Sequence, residues 1–98
     1  PNLAIVVFDN GRYGETGMQA SHTNAGVDLC GIARACGIGG VFDIADEAAL
    51  RAFRGRLYND SETLFARVAI HPDEPPRVLP SRDGVYLKNR FRRALGLE

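Results

Sequence analysis

An unbroken apolar run near the start of the sequence constrains the fold more than any other feature. Residues 3–7 read LAIVV, and the polar stretch FDNGRYGET follows at once at 8–16. A run that is apolar on both faces is typical of a buried parallel strand, with helices above and below it and strands on either side. Ligands of open α/β sheets bind at the carboxyl ends of such strands. The sequence therefore predicts a ligand-binding loop at residues 8–16.

The rest of the sequence alternates between strand and helix patterns. We expect three strands, three helices, a long loop without regular structure and a proline-rich link: strands at 3–8, 41–44 and 64–70, helices at 27–36, 46–57 and 85–95, the loop at 9–26 and the link at 71–84. Such alternation implies parallel strands joined by right-handed crossovers. The predicted fold class is α/β, an open and mostly parallel sheet of three strands with three flanking helices.

Apolar spacing assigns an inward face to each predicted helix. The expected core positions are, from the first helix to the third, Val27, Cys30, Ile32 and Ala33; Leu50, Phe53 and Leu57; Leu87, Phe91 and Leu95. The two cysteines, Cys30 and Cys36, lie about 240° apart around a helix axis. We therefore expect them on different faces of the first helix, without a disulfide between them.

Charge and hydropathy exclude several classes of function. The 98 residues carry 12 basic and 12 acidic side chains, so no net charge attracts nucleic acid or an anionic membrane. No apolar run approaches the roughly 18–20 residues of a membrane span, and the first residues lack a basic-then-apolar signal pattern. We expect a cytoplasmic protein that binds neither nucleic acid nor membrane.

The last predicted helix is basic on one side, with Lys88, Arg90, Arg92 and Arg93 in succession. Phe91 lies among these cations but belongs to the apolar stripe, and the chain as a whole is neutral. We therefore interpret the cations as a solvated helix face or a contact with another subunit. Nucleic-acid binding is the less favoured interpretation.

The polar loop after the first strand carries groups that suit a metal and a phosphate. Asn10 offers a neutral amide oxygen, and Gly11 and Gly14 allow the main chain to approach a ligand closely. Amide and carbonyl oxygens suit Mg²⁺, which often shares its ligands with a diphosphate. A strand followed by Asp-Asn-Gly also occurs in many ordinary turns. From these residues alone, a ligand loop and a plain turn both remain open.

The motif adds a resemblance to a known family. IVVFDNGRYGETGMQ at 5–19 resembles the second half of the cofactor motif of thiamine diphosphate (ThDP) enzymes, which opens with Gly-Asp-Gly and closes with an Asn-Asn or Asp-Asn pair after a strand. SHTNAGVDLCGIARACG at 21–37 and RDGVYLKNRFRRALG at 82–96 are similar to the cofactor-binding domain of phosphonopyruvate and sulfopyruvate decarboxylases. The resemblance covers nearly the whole chain and is sharpest over 5–23.

The resemblance implies a role for each residue of the loop. Asn10 would bind Mg²⁺ through its side chain, and Arg12 would bind it through its backbone carbonyl. Asp9 stands where many relatives have the first Asn of the pair. The residues expected along the diphosphate and the thiazolium edge are Tyr13, Gly14, Glu15 and Thr16. His22 is a candidate for a catalytic or substrate contact, with an exposed or structural role as its alternative.

The resemblance also implies that the site needs groups from outside these residues. The Gly-Asp-Gly half of the motif, whose Asp supplies a carboxylate to the metal, does not occur in the sequence. We therefore expect residues 1–98 to be the C-terminal part of a ThDP- and Mg²⁺-binding domain, truncated before residue 1. A pyrimidine-binding domain or subunit would complete the active site in a homo- or hetero-oligomer. Residues 1–98 alone are expected to bind Mg–ThDP poorly and to be inactive.

The implied function is that of a lyase, a ThDP-dependent decarboxylase of a small anionic 2-oxo acid such as phosphonopyruvate or sulfopyruvate. Two alternatives stay open at this point. One is a carboligating enzyme of the acetolactate synthase kind, because the loop does not indicate the fate of the carbanion. The other is a non-catalytic binding or assembly module that keeps the fold.

Overall fold

The computed structural model describes residues 3–97, which form two small sheets and three α-helices. In chain order the elements are β1 (Ala4–Asp9), β2 (Arg12–Tyr13), β3 (Gln19–Ala20), α1 (Leu29–Ala35), β4 (Gly40–Ile44), α2 (Glu47–Asn59), β5 (Leu64–Ala69) and α3 (Gly84–Ala94). The main sheet is parallel with the strand order β1-β5-β4, and β2 pairs with β3 in an antiparallel hairpin. The predicted α/β class, with a mostly parallel sheet and flanking helices, is confirmed.

The two helices α1 and α2 cover opposite faces of the main sheet. Cys30 and Ala33 of α1 pack on Phe65 of β5, whereas Phe53 of α2 packs among residues that include Leu64 on the other face. Successive side chains of a strand point to opposite faces, so β5 contributes to both cores. The most buried strand of the sheet is therefore β5.

The central place in the sheet that the sequence predicts for the first strand belongs to β5 instead. Within residues 3–97, β1 pairs only with β5 and forms an edge of the sheet. α2 covers β4 and β5 but not β1, so Val6 and Phe8 are 38% and 69% exposed. The expectation that β1 has strands on both sides and helices on both faces is wrong for the described residues.

The predicted structureless loop at 9–26 contains regular structure. It holds the β2–β3 hairpin and two short 3₁₀ turns, Gly14–Thr16 and His22–Ala25. The first helix begins at Leu29 rather than at 27, because the Asp28 carboxylate caps it by accepting a hydrogen bond from the Gly31 N–H at 2.9 Å. The side chains of Val27 and Ile32, both predicted to be inward, are 40% and 52% exposed.

The helix core positions are confirmed in part. Cys30, Ala33 and Phe53 are buried, and Leu57 packs against the same core as Phe53, but Leu50 is 44% exposed.

The apolar face predicted for α3 is less buried than expected. Leu87, Phe91 and Leu95 are 39%, 66% and 55% exposed, and neither hydrophobic core includes them. Their four-residue spacing predicted the helix correctly but not its burial.

The cysteines lie as their spacing predicts. Cys30 is buried and Cys36 is exposed, and both are free thiols. Burial raises the pKa of the Cys30 thiol. Among the helices of residues 3–97, none has the length and apolar character needed to cross a membrane.

Replacing Phe53 with Ala is expected to destabilise the chain by about 3–5 kcal/mol, because it opens a cavity in the core between α2 and the sheet. The Phe53 ring is 4% exposed and lies 5.2 Å from the Phe42 ring, centroid to centroid. Tyr58→Ala in the same helix is the matched control. Tyr58 is 77% exposed, so we expect a change within about 0.5 kcal/mol. Denaturant unfolding of both variants measures the difference, and equal losses would contradict the assigned core.

Candidate functional site

The candidate site begins where β1 ends and is a fixed hairpin. The Ser21 N–H donates to the Gly11 carbonyl at 2.9 Å, and the Met18 N–H donates to the Tyr13 carbonyl at 3.0 Å. Three residues have backbone angles in the left-handed region, Gly11 with φ +66°, Gly17 with φ +120° and Met18 with φ +62°. A non-glycine residue rarely adopts that region. The hairpin geometry therefore holds Met18 in an unfavourable conformation.

The Asp9 carboxylate anchors this hairpin to the sheet. Asp9 is 8% exposed. Its Oδ1 accepts hydrogen bonds from the Gly11 N–H at 2.9 Å and the Thr23 hydroxyl at 2.7 Å, and its Oδ2 accepts one from Arg67 Nε at 2.7 Å. A buried charge is tolerated when it is paired and hydrogen-bonded, and these three donors meet that need. Asp9 thus joins the start of the loop to its end and to β5.

The environment of Asp9 sets its protonation state. Burial raises the pKa of this carboxyl, but hydrogen bonds from Thr23, Arg67 and Gly11 outweigh burial and lower the pKa below its ordinary value. Asp9 is therefore a carboxylate at neutral pH. Its two oxygens already accept three hydrogen bonds, so its charge is used to hold the loop rather than offered to a ligand.

Asn10 and Arg12 present two neutral oxygens beside this anchor. Asn10 Oδ1 accepts a hydrogen bond from the Arg12 N–H at 2.9 Å, which leaves one lone pair of the amide oxygen. Arg12 lies opposite Ala20 in the hairpin. The hydrogen bond from the Ser21 N–H to the Gly11 carbonyl joins the residues on one side of this pair. Such bonds flank a non-hydrogen-bonded pair, in which the backbone groups of both residues face away from the partner strand. The Arg12 carbonyl therefore points away from β3 and has no partner in the ladder.

Both oxygens are of the chemical type that Mg²⁺ accepts as ligands. Mg²⁺ prefers octahedral oxygen ligation and often takes the remaining ligands from water and phosphate. Residues 3–97 contain no cluster of three or more His, Cys, Asp or Glu that could hold a metal by itself. A metal here would depend on oxygens that a diphosphate or another polypeptide segment supplies.

An open groove runs beside Asn10. Its volume is about 810 Å³, and it lies between the loop and the proline-rich segment after β5; its lining residues include Asn10, Gly14, Glu15, Glu74 and Arg77. The Glu15 side chain is 91% exposed, and its carboxylate lies 3.9 Å from the Arg77 guanidinium. Of the six predicted cofactor-binding residues, the structure brings Asn10, Gly14 and Glu15 to this groove.

The other predicted residues form contacts inside the loop. The Tyr13 hydroxyl lies 3.3 Å from His22 Nδ1, and both side chains are exposed. The Thr16 hydroxyl donates to Gln19 Oε1 at 3.0 Å. Arg12 Nη1 donates to the Met18 carbonyl at 3.4 Å. His22 therefore lies in the loop next to Tyr13 and is not among the residues that line the groove.

Sequence reasoning missed two contributors to the site, Arg67 and the proline-rich segment. Arg67 is a charged residue in the middle of the apolar run LFARVAI at 64–70, and that position is the signal that could have identified it. The proline-rich segment follows β5, whose carboxyl end lies beside that of β1 in the parallel pair. Parallel topology alone therefore places this segment near the loop.

Comparison with known proteins gives one relevant similarity. The sulfopyruvate decarboxylase subunit beta of Methanocaldococcus jannaschii is 28% identical over 96 residues, which cover 96% of this chain and 50% of the relative. The chain thus spans about half the length of the curated relative that it matches. No family model matches the sequence, and no solved structure matches it. The similarity agrees with the resemblance of the loop motif to ThDP enzymes.

Asp9→Asn is expected to lower the free energy of unfolding at pH 7 by about 1–3 kcal/mol, because it leaves Arg67 facing an uncharged amide. The folded-state pKa of Asp9 is lowered, so the carboxylate stabilises the fold fully above its ordinary pKa of about 3.9. This stabilisation is lost as the pH falls through the folded pKa. The difference between wild type and Asp9→Asn should therefore shrink below about pH 4.

Urea unfolding between pH 7 and pH 3 measures this difference. Glu47→Gln is the control, because Glu47 pairs with Arg51 on the exposed side of α2 and exposed pairs contribute at most about 1 kcal/mol. A difference between wild type and Asp9→Asn that stays constant with pH would contradict the assigned charge state.

Proposed function

We propose that this chain is part of a ThDP- and Mg²⁺-dependent decarboxylase that acts on a small anionic 2-oxo acid such as sulfopyruvate or phosphonopyruvate. The observation that carries the proposal is the anchored turn at the carboxyl end of β1, in which the Asn10 side chain accepts a hydrogen bond from the Arg12 main chain. The similarity to a sulfopyruvate decarboxylase subunit supports the same reaction class.

In this proposal the loop holds the metal and the diphosphate. Asn10 and the Arg12 carbonyl would ligate Mg²⁺, and Gly14 would let the main chain approach the diphosphate. Glu15, at the rim of the groove, would border the bound cofactor, with Tyr13 and Thr16 in the adjoining turn. The chain's contribution is to bind and orient the cofactor.

When bound, ThDP supplies the electron sink for the electrons released as CO₂ leaves the 2-oxo acid. The groove beside Asn10 leaves room for a substrate next to the cofactor. The exposed pair of His22 and Tyr13, whose Nδ1 and hydroxyl lie 3.3 Å apart, is the candidate contact for the substrate or for a proton transfer.

The proposed site requires a second polypeptide segment. Asn10 and Arg12 provide only neutral ligands, and the charge of Asp9 is paired with Arg67 while its oxygens also accept from Gly11 and Thr23. We propose that a pyrimidine-binding domain or partner subunit supplies the remaining ligands and contacts. The relative is itself named as a beta subunit, which agrees with an enzyme assembled from more than one chain.

The direct test uses the chain isolated with the polypeptides that assemble with it. Mg²⁺ and ThDP are added, and CO₂ release is measured with sulfopyruvate, phosphonopyruvate and pyruvate. We expect CO₂ release that requires both Mg²⁺ and ThDP and that favours an anionic substrate. Acetolactate formation from pyruvate would assign the carboligating alternative. Absence of both ThDP binding and CO₂ release would leave the non-catalytic module and overturn the proposal.

Asn10→Ala in the same assembly is expected to raise the Mg²⁺ concentration needed for half-maximal ThDP binding by about 100-fold, the upper end of what loss of a supporting group costs. Asn10→Asp keeps an oxygen at the same place and is expected to retain binding. Asn59→Ala is the control, because Asn59 bonds only the Gly55 carbonyl at the end of α2. Calorimetric titration of ThDP at several Mg²⁺ concentrations gives the values. Equal half-saturation for Asn10→Ala and wild type would remove Asn10 from the site.

A further inference from the structure

Arg67 lies on the central strand and joins the carboxyl ends of its two neighbours. Its Nε donates to Asp9 Oδ2 at 2.7 Å, and its Nη1 donates to Asp43 Oδ1 at 2.9 Å. In the register of the sheet, Arg67 pairs with Val7 of β1 and with Asp43 of β4. One guanidinium therefore connects all three strands of the main sheet at the edge where the candidate loop begins.

The contacts of Asp9 carry this connection into the loop. Asp9 directly precedes Asn10, and its Oδ1 holds both the Gly11 N–H and the Thr23 hydroxyl. The Thr23 hydroxyl in turn lies 2.7 Å from the Ser21 hydroxyl, and the Ser21 N–H closes the hairpin on the Gly11 carbonyl. Both ends of the loop are thus fixed by the carboxylate that Arg67 holds.

The structure assigns Arg67 a role as a positioning residue for the candidate cofactor site. Arg67 acts through Asp9: the guanidinium fixes the Asp9 carboxylate, and this carboxylate fixes the turn that carries Asn10 and Arg12. This inference rests on the proposed function for the identity of the ligand, Mg²⁺ with a diphosphate. The positioning of the loop itself rests on the hydrogen bonds alone.

The geometry requires arginine rather than any cation. The guanidinium is planar and offers several donors in a rigid arrangement, whereas a lysine ammonium is a single point of charge. Arg67 uses two of its nitrogens for carboxylates on different strands. Lysine at 67 would keep the charge but would not reach both carboxylates in the same orientation. Arg67→Lys is therefore expected to lose part of the effect of Arg67, and Arg67→Met all of it.

Asp43 contributes less than Asp9 to holding the Arg67 guanidinium. Its side chain is 56% exposed, against 6% for Asp9, and exposed ion pairs contribute little to stability. Asp43 accepts a hydrogen bond from Nη1 and helps to orient the guanidinium, whereas Asp9 accepts the hydrogen bond from Nε. Asp43→Asn should therefore leave the fold intact and weaken the positioning only modestly. Arg67→Lys, with its larger expected effect, is the variant of choice if Arg67→Met does not fold.

The first measurement is ThDP binding at a series of Mg²⁺ concentrations, with the chain in its assembly. Loss of a supporting group typically lowers metal affinity by 10–100-fold. We expect Arg67→Met to raise the Mg²⁺ half-saturation at least about 10-fold, with a smaller loss in kcat at saturating Mg²⁺ and ThDP. We expect Arg67→Lys to have an intermediate effect and Asp43→Asn the smallest. Arg54→Met, an exposed arginine of α2, should match wild type.

The second measurement is amide hydrogen exchange at Gly11 and Arg12, whose N–H groups bond Asp9 and Asn10. In Arg67→Met both amides should exchange at least about 10-fold faster, as expected when a local opening becomes easier, and in Arg54→Met at the wild-type rate. A folded Arg67→Met, or Arg67→Lys in its place, with unchanged exchange and unchanged Mg²⁺ half-saturation overturns the inference. Faster exchange in an assembly whose wild type does not bind ThDP overturns the proposed function instead and leaves the loop positioning supported.

Discussion

The ion pair between Asp9 and Arg67 joins the sheet to the candidate site. Transferring two charges out of water costs several kcal/mol, and their attraction recovers this only when the remaining hydrogen bonds are made. Thr23 and Gly11 make those bonds on the Asp9 side, and Asp43 makes one on the Arg67 side. A pair of this kind is a weak source of net stability but a strong constraint on geometry. Its main effect is to give the loop one conformation.

Local chemistry explains what could be predicted from the sequence. The run at 3–7 and the Asp-Asn-Gly turn located a strand and its loop. The helix predicted at 46–57 corresponds to α2, which Asp46 caps by accepting the Ala49 N–H at 2.8 Å. The α/β order followed because apolar spacing switches between strand and helix along the chain. Each of these inferences depends on residues that are neighbours in sequence.

Long-range pairing explains what could not be predicted. Both β1 and β5 are apolar enough for the centre of a sheet, and only the pairing of β5 with both β1 and β4 places it between them. The apolar stripe of α3 indicates a helix, but burial depends on what the helix meets, and Phe91 remains 66% exposed. The role of Arg67 was hidden for the same reason, because Asp9 lies 58 residues away from it in sequence.

Asp9 and Asn10 have different roles in the proposed cofactor site: Asp9 fixes the loop, and Asn10 would bind the metal. The charge of Asp9 is compensated by Arg67, so the oxygens that this loop offers to a metal are the neutral ones of Asn10 and Arg12. Neutral ligands hold Mg²⁺ weakly by comparison with carboxylates, because much of the affinity of a hard cation comes from ligand charge. On the proposed function, the diphosphate then supplies the missing negative charge. Metal and cofactor would therefore bind cooperatively, each providing what the loop alone does not.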